Sequence, residues 1–144
     1  MTRGYTLIEL VVVLAVLAIA AAVVGPAVGR TVDGVRVRAE VAAFAGFLRA
    51  AREQAIARQL AYEVVLEPEP RALRLRRPGA EDAPTQARRA FPAGLRIEAA
   101  TARVTFWPHG MSSGARFAID TPGRRYVITV DALTGRVATH PGGS

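Results

Sequence analysis

The chemistry open to this chain starts from a short inventory. Its serine hydroxyls are Ser112, Ser113 and Ser144, and its only imidazoles are His109 and His140. His109 and Ser112 fall in one short segment, and Asp120 or Asp131 could orient the ring, so the parts of a Ser-His-Asp relay are present. Their neighbours argue for a different role. Pro108, Gly110 and Gly114 mark the segment as a turn, where serine hydroxyls ordinarily bond nearby backbone groups. No nucleophile elbow accompanies them. The two histidines stand thirty-one positions apart without clustered carboxylates, a poor metal-ligand set. No glycine loop of the phosphate-binding kind occurs, and the absence of cysteine removes thiolate chemistry and disulfides. An enzyme, a metal site and a cofactor are therefore not expected.

Glu9 is the other residue with chemical content. It precedes Leu10–Val24, fifteen residues without one polar side chain. From Tyr5 to Val24 the chain could form about 30 Å of helix, enough to cross a bilayer core. A carboxylate inside such a segment costs roughly 2.5–3.5 kcal/mol on insertion scales, so a plain anchor has no use for it unless it rests at headgroup level. A secretory signal peptide is a competing reading, with Ala18-Ile19-Ala20 as its small-residue cleavage site. Its basic region would then be only three residues long, and Glu9 would stand where such a peptide is apolar.

The elements that position these residues change character along the chain. Gly25-Pro26 is expected to kink or locally melt a helix, because proline removes a backbone donor and clashes with the preceding turn. Beyond it Val37, Val41, Phe44, Leu48, Ala51 and Ala55 recur at spacings of three and four, the stripe of an amphipathic helix that packs on a core. From residue 62 the period becomes two. Tyr62, Val64 and Leu66, then Leu73 and Leu75, alternate with charged residues around Pro68-Glu69-Pro70, which reads as a hairpin. Glu63 then falls opposite Arg74 or Arg76. Residues 78–90 lack an apolar period and read as a loop. Further strands are expected at 94–99, 103–107, 115–120, 125–131 and 135–140. The fold class is α+β: a long N-terminal helix packed on a C-terminal antiparallel β domain.

Length and charge agree with one small domain on a helix. The chain has 144 residues, 51% hydrophobic and 22% charged, which excludes wholesale disorder. The net charge is +7, and every one of the nineteen basic residues is arginine. Acidic residues are interleaved throughout, so the surface reads as mildly basic and solvated rather than as a dedicated nucleic-acid site.

Gly4-Tyr5-Thr6-Leu7-Ile8-Glu9-Leu10-Val11-Val12-Val13-Leu14 closely resembles the class III signal of type IV pilins and type II secretion pseudopilins. The resemblance implies that a prepilin peptidase cuts between Gly4 and Tyr5 and that Tyr5 becomes N-methylated. It makes Glu9 the special carboxylate of subunit assembly. Tyr5 stands where most members carry Phe. A carboxylate in hydrocarbon needs a cationic partner, and processing would create one, the α-amino group of Tyr5 on a neighbouring subunit.

Two further segments narrow the likeness. Val104-Thr-Phe-Trp-Pro108-His-Gly110-Met-Ser112-Ser113-Gly114-Ala-Arg-Phe117, with Tyr126–Val137 around Thr134-Gly135-Arg136, resembles the GspH/FimT group of minor pseudopilins and minor pilins. The helix end Ala51-Arg-Glu-Gln-Ala-Ile-Ala-Arg58 is similar to that group's too. The acidic calcium loop of major pseudopilins and the paired cysteines of many major pilins are missing. The resemblance implies a leader at 1–4, a transmembrane and assembly helix at 5–29, an amphipathic helix at 30–61 and a periplasmic β domain at 62–144. It implies a single-pass inner-membrane protein whose partners are the prepilin peptidase and other pseudopilins in a hetero-oligomeric filament for protein export. The alternative within the group is a FimT-like minor pilin that binds DNA in natural transformation. Arg124, Arg125 and Arg136, in the part with least nearby acid, would then be its contacts.

Overall fold

The structure is a computed structural model that describes residues 6–69, 71–79, 84–121 and 123–143, apart from the side chains of 23–33. It divides into two compact units, Met1–Arg38 and Ala39–Ser144. One helix, α1, spans Leu7–Arg58. Thr6 caps it: its carbonyl oxygen accepts from the Leu10 N–H at 3.3 Å and its hydroxyl from the Glu9 N–H at 3.4 Å. Glu9 lies in the first turn, where a carboxylate complements the positive end of the helix dipole. Every side chain from Leu7 to Ala22 is exposed, Leu7 at 82% and even Val13 at 46%.

Two sequence expectations meet the edge of this description. The local melting expected as one outcome at Gly25-Pro26 does not occur, since α1 runs unbroken through both residues; Gly25 and Pro26 fall within 23–33, whose side chains are not described. Among the described residues no helix is long and apolar enough to cross a membrane. Of the expected span Tyr5–Val24, only Leu7–Ala22 among the helical residues carries described side chains.

In the second unit the expected stripe is buried. Val41, Phe44, Leu48, Ala51 and Ala55 are all covered, with Ala45 beside them, while Val37, the first residue of the expected stripe, lies in the first unit and is only half-buried. The helix closes at Gln59, in the left-handed region at φ 52°, while the Leu60 N–H reaches the Ala55 carbonyl at 3.2 Å in a Schellman-type ending. The chain then builds eight strands: β1 Tyr62–Glu67, β2 Ala72–Arg76, β3 Ala87–Ala90, β4 Arg96–Ala99, β5 Arg103–Phe106, β6 Ala115–Thr121, β7 Arg124–Val130 and β8 Val137–Gly142. They form two four-stranded antiparallel sheets, ordered β3-β2-β1-β5 and β4-β6-β7-β8. Tyr62, Val64, Leu73, Leu75, Val104 and Phe106 bury one face of the first sheet; Phe117, Ile119, Ile128 and Val130 bury one face of the second. Phe44 ties helix and sheets together, its ring centroid 5.3 Å from that of Phe91 and 5.1 Å from that of Phe117. Each such fully covered side chain contributes about 1.5–3 kcal/mol.

The hairpin register pairs Glu63 with Arg76, one of the two alternatives that alternation leaves open. The other face of the first sheet is an ion-pair ladder: Glu63 to Arg76 at 2.8 Å and Arg103 at 3.9 Å, Glu67 to Arg74 at 2.7 Å and Arg88 at 3.5 Å. Arg88 belongs to a strand that the sequence reading missed. Residues 78–90 read as loop, yet Ala87–Ala90 pairs with β2 from Ala72↔Ala90 to Leu75↔Ala87. The sequence Ala-Arg-Arg-Ala has no apolar alternation because β3 is an edge strand, mostly exposed and held by backbone bonds.

Candidate functional site

Arg52 sits one position past the buried Ala51, on the flank of the stripe, and its side chain reaches two turns of the β domain. Its Nε–H is shared between the Gly110 and Thr134 carbonyl oxygens, 3.1 Å from each. The helix end 51–58, the Pro108–Gly114 turn and the turn at Thr134–Arg136 therefore converge on one guanidinium. Glycine is required where the turns touch. Gly110 has φ 85° and Gly135 φ 62°, and a Cβ on Gly135 would collide with the Gly110 carbonyl oxygen and the Arg52 side chain.

The two serines fasten this junction. The Ser112 hydroxyl donates to the Asp131 carbonyl at 2.8 Å and accepts from the Gly114 N–H at 3.1 Å. The Ser112 N–H donates to the Ala132 carbonyl at 2.8 Å. The Ser113 hydroxyl accepts from the Thr105 N–H at 3.0 Å, and the Ser113 N–H returns a bond to the Thr105 carbonyl at 2.9 Å. Ser112 is buried at 3% exposure and spends its one proton on backbone, while His109 is exposed. The serines hold the turn that ties β5 to the β7–β8 connection.

Asp131 organises the facing turn. Its Oδ1 accepts from both the Thr134 N–H and the Thr134 hydroxyl at 2.8 Å, and its carbonyl accepts from the Gly135 N–H at 2.8 Å. The Thr134 backbone N–H, then its hydroxyl, hold the Asp131 carboxyl below its ordinary value. Between this turn and α1 runs a groove of about 510 Å³ lined by Arg49, Arg52, Glu53, Thr134, Gly135, Arg136 and Val137.

The residues singled out in the sequence are distributed unevenly. Gly4 and Tyr5 lie outside the described residues. Glu9 is exposed on the first turn of α1. Arg124 and Arg125 begin β7, whereas Arg136 follows its far end, so the three do not form one patch. Arg125 is also not in an acid-poor setting: it pairs with Glu98 at 3.3 Å and Asp120 at 3.5 Å. Glu98 stands twenty-seven positions away and enters only because β4 pairs with β6, a contact no local reading supplies. Arg52 was the residue sequence reasoning undervalued. Its signal was a charged side chain adjoining the apolar stripe, inside a motif shared with the group.

Comparison with known proteins follows this geometry closely. The prokaryotic N-terminal methylation motif matches residues 1–25, and the type II transport protein GspH family matches residues 40–134, which contain the helix end and the Pro108–Gly114 turn and stop at Thr134. The chain belongs to the GspH family. It is 29% identical over 143 residues to the type II secretion system protein H of Xanthomonas campestris pv. campestris, covering 96% of this chain and 83% of that protein. Its fold is that of the type IV minor pilin FimU of Pseudomonas aeruginosa, with TM-score 0.64, 17% identity and coverage of 74% of this chain and 89% of that one. The minor pseudopilin EpsH from the type 2 secretion system of Vibrio cholerae shares it too, with TM-score 0.60, 15% identity and coverage of 74% and 98%. GspH proteins are minor pseudopilins of type II secretion, a family of structural subunits rather than of enzymes.

Proposed function

We propose that this chain is built into a periplasmic pseudopilus beside other pseudopilins, after its N-terminal segment has been inserted in the inner membrane and trimmed by a prepilin peptidase. The observation that carries this reading is the helix start. From Leu7 to Ala22 a capped helix of apolar residues leaves all its side chains uncovered, which a lone water-soluble subunit does not tolerate. Lipid before assembly, and neighbouring helices after it, would cover that surface. The methylation motif over residues 1–25 supports cleavage between Gly4 and Tyr5 and methylation of Tyr5. Glu9 is then the carboxylate that receives the new Tyr5 amine of an adjacent subunit. In hydrocarbon such a pair acts chiefly as a register device, since desolvation offsets much of its attraction.

Mass spectrometry of the protein isolated from its native membrane tests the reading. The expected first residue is N-methyl-Tyr5. A mature chain starting at Ala21 would identify an ordinary signal peptide and remove the filament role.

A further inference from the structure

We infer that the groove between α1 and the β7–β8 turn, with the apolar residues beside it, is a docking surface for an acidic side chain of another protein subunit. It is distinct from the helical assembly surface of residues 7–22, and it rests on the pseudopilin reading only for the choice of partner.

The first observation is a charge imbalance. Arg74, Arg76, Arg88, Arg89, Arg103 and Arg125 each face a carboxylate of this chain. Among the described residues Arg49, Arg52 and Arg136 form no ion pair with a carboxylate, as is true of several other arginines such as Arg58, Arg96 and Arg116, but these three line one groove. Arg52 commits its Nε–H to the turns, and Arg49 makes one long contact of 3.4 Å to the Val137 carbonyl. Three guanidiniums around a concave space offer forked donors that match a carboxylate.

The second observation is apolar. Trp107 and Met111, bonded to each other through backbone at 3.0 Å, are 40% and 43% exposed on the Pro108–Gly114 turn. Leu133, adjacent to Thr134, is 76% exposed on the facing turn. The turns meet at Gly110 and Gly135, so these side chains and the arginines belong to one end of the β domain. Exposed aromatic, Met and Arg side chains on adjoining turns are the composition of protein–protein interfaces. A phosphate backbone is the poorer fit, because nucleic-acid surfaces are basic over an extended run, whereas here Glu53 interrupts the arginines and the neighbouring turns expose Trp107, Met111 and Leu133. The occupant is therefore a folded partner that inserts Asp or Glu between Arg49 and Arg136 and lays apolar surface on Leu133 and Trp107.

The full-length protein in detergent micelles can be titrated with the purified soluble domain of each other pseudopilin of the same system. One of them should bind, with affinity that falls as salt rises. Arg49→Glu combined with Arg136→Glu should weaken it at least about tenfold, as loss of an interface anchor does. Leu133→Ser should weaken it separately, while Arg124→Glu, at the other end of β7, should leave it unchanged. Circular dichroism establishes that each variant is folded. Binding by none of the domains, or binding that the groove variants leave intact, overturns the assignment. So does binding of an oligonucleotide that the same variants abolish, or a concentration-dependent dimer lost in them, which would make the occupant nucleic acid or a second copy. None of these outcomes touches the N-terminal mass, so this inference can fail while the processing reading stands.

Discussion

Leu7–Ala22 and Val41–Ala55 belong to one helix and are both rich in apolar residues, Val, Leu and Ala in the first, chiefly Ala and Phe in the second. In the first stretch the apolar residues run all round and none is covered. In the second they recur every three or four positions and Val41, Phe44, Leu48 and Ala55 are covered by the chain's own sheets. The difference separates two destinations of hydrophobic surface. A stripe is satisfied within the molecule; a full apolar cylinder must be satisfied outside it. Substitutions in one stretch should therefore spare the property that the other controls.

The largest separation is expected at Phe44. Phe44→Ala removes the ring between Phe91 and Phe117 and should cost about 3–5 kcal/mol of folding stability. Thermal or urea denaturation should register it, while membrane insertion is unaffected. Glu9→Leu is the converse change. The protein should insert, be cleaved and fold as usual, yet crosslink poorly to partner pseudopilins, because removing one member of a buried pair typically costs about 3–5 kcal/mol. Wild-type assembly of Glu9→Leu would reduce Glu9 to a charge that complements the helix dipole and erase the contrast.

Smaller effects sharpen the picture within the β domain. Gly135→Ala places a methyl against the Gly110 carbonyl and Arg52 at positive φ, and should cost about 1–3 kcal/mol with the junction displaced. Chemical denaturation would measure the loss. The smallest effect concerns acid. The Asp131 carboxyl is held below the ordinary 3.8, so its contribution is present above that pH and is lost as pH falls through the lowered folded value. Asp131→Asn should therefore flatten the acid limb of the stability curve below about pH 4 and leave the neutral region nearly parallel.

Much of this was legible in the residues, for identifiable reasons. The hairpin at 62–76 announced itself because one face of each strand is buried, and the Ser112–Ser113 turn because glycine and proline punctuate it. What escaped was held by partners remote in sequence or by backbone alone. β3 has no buried face to give it a period, and the pairing of Arg125 with Glu98 depends on sheet order. Gly135, expected to begin a strand, stays in the turn because Asp131 and Thr134 keep it there, and β8 starts at Val137. The division into two sheets follows from β5 returning to β1, a long-range choice that no short window displays.

Arg52 reaches residues 58 and 82 positions further along the chain, through bonds to Gly110 and Thr134. Contacts of such separation form only after the intervening segments have been ordered, since loop closure must precede them. The groove beside Arg52 thus requires remote segments to be in place together, and is absent from a subunit whose strands have not closed on the helix. A partner that engages it would sense completeness as well as identity, and half-folded subunits would be passed over during assembly.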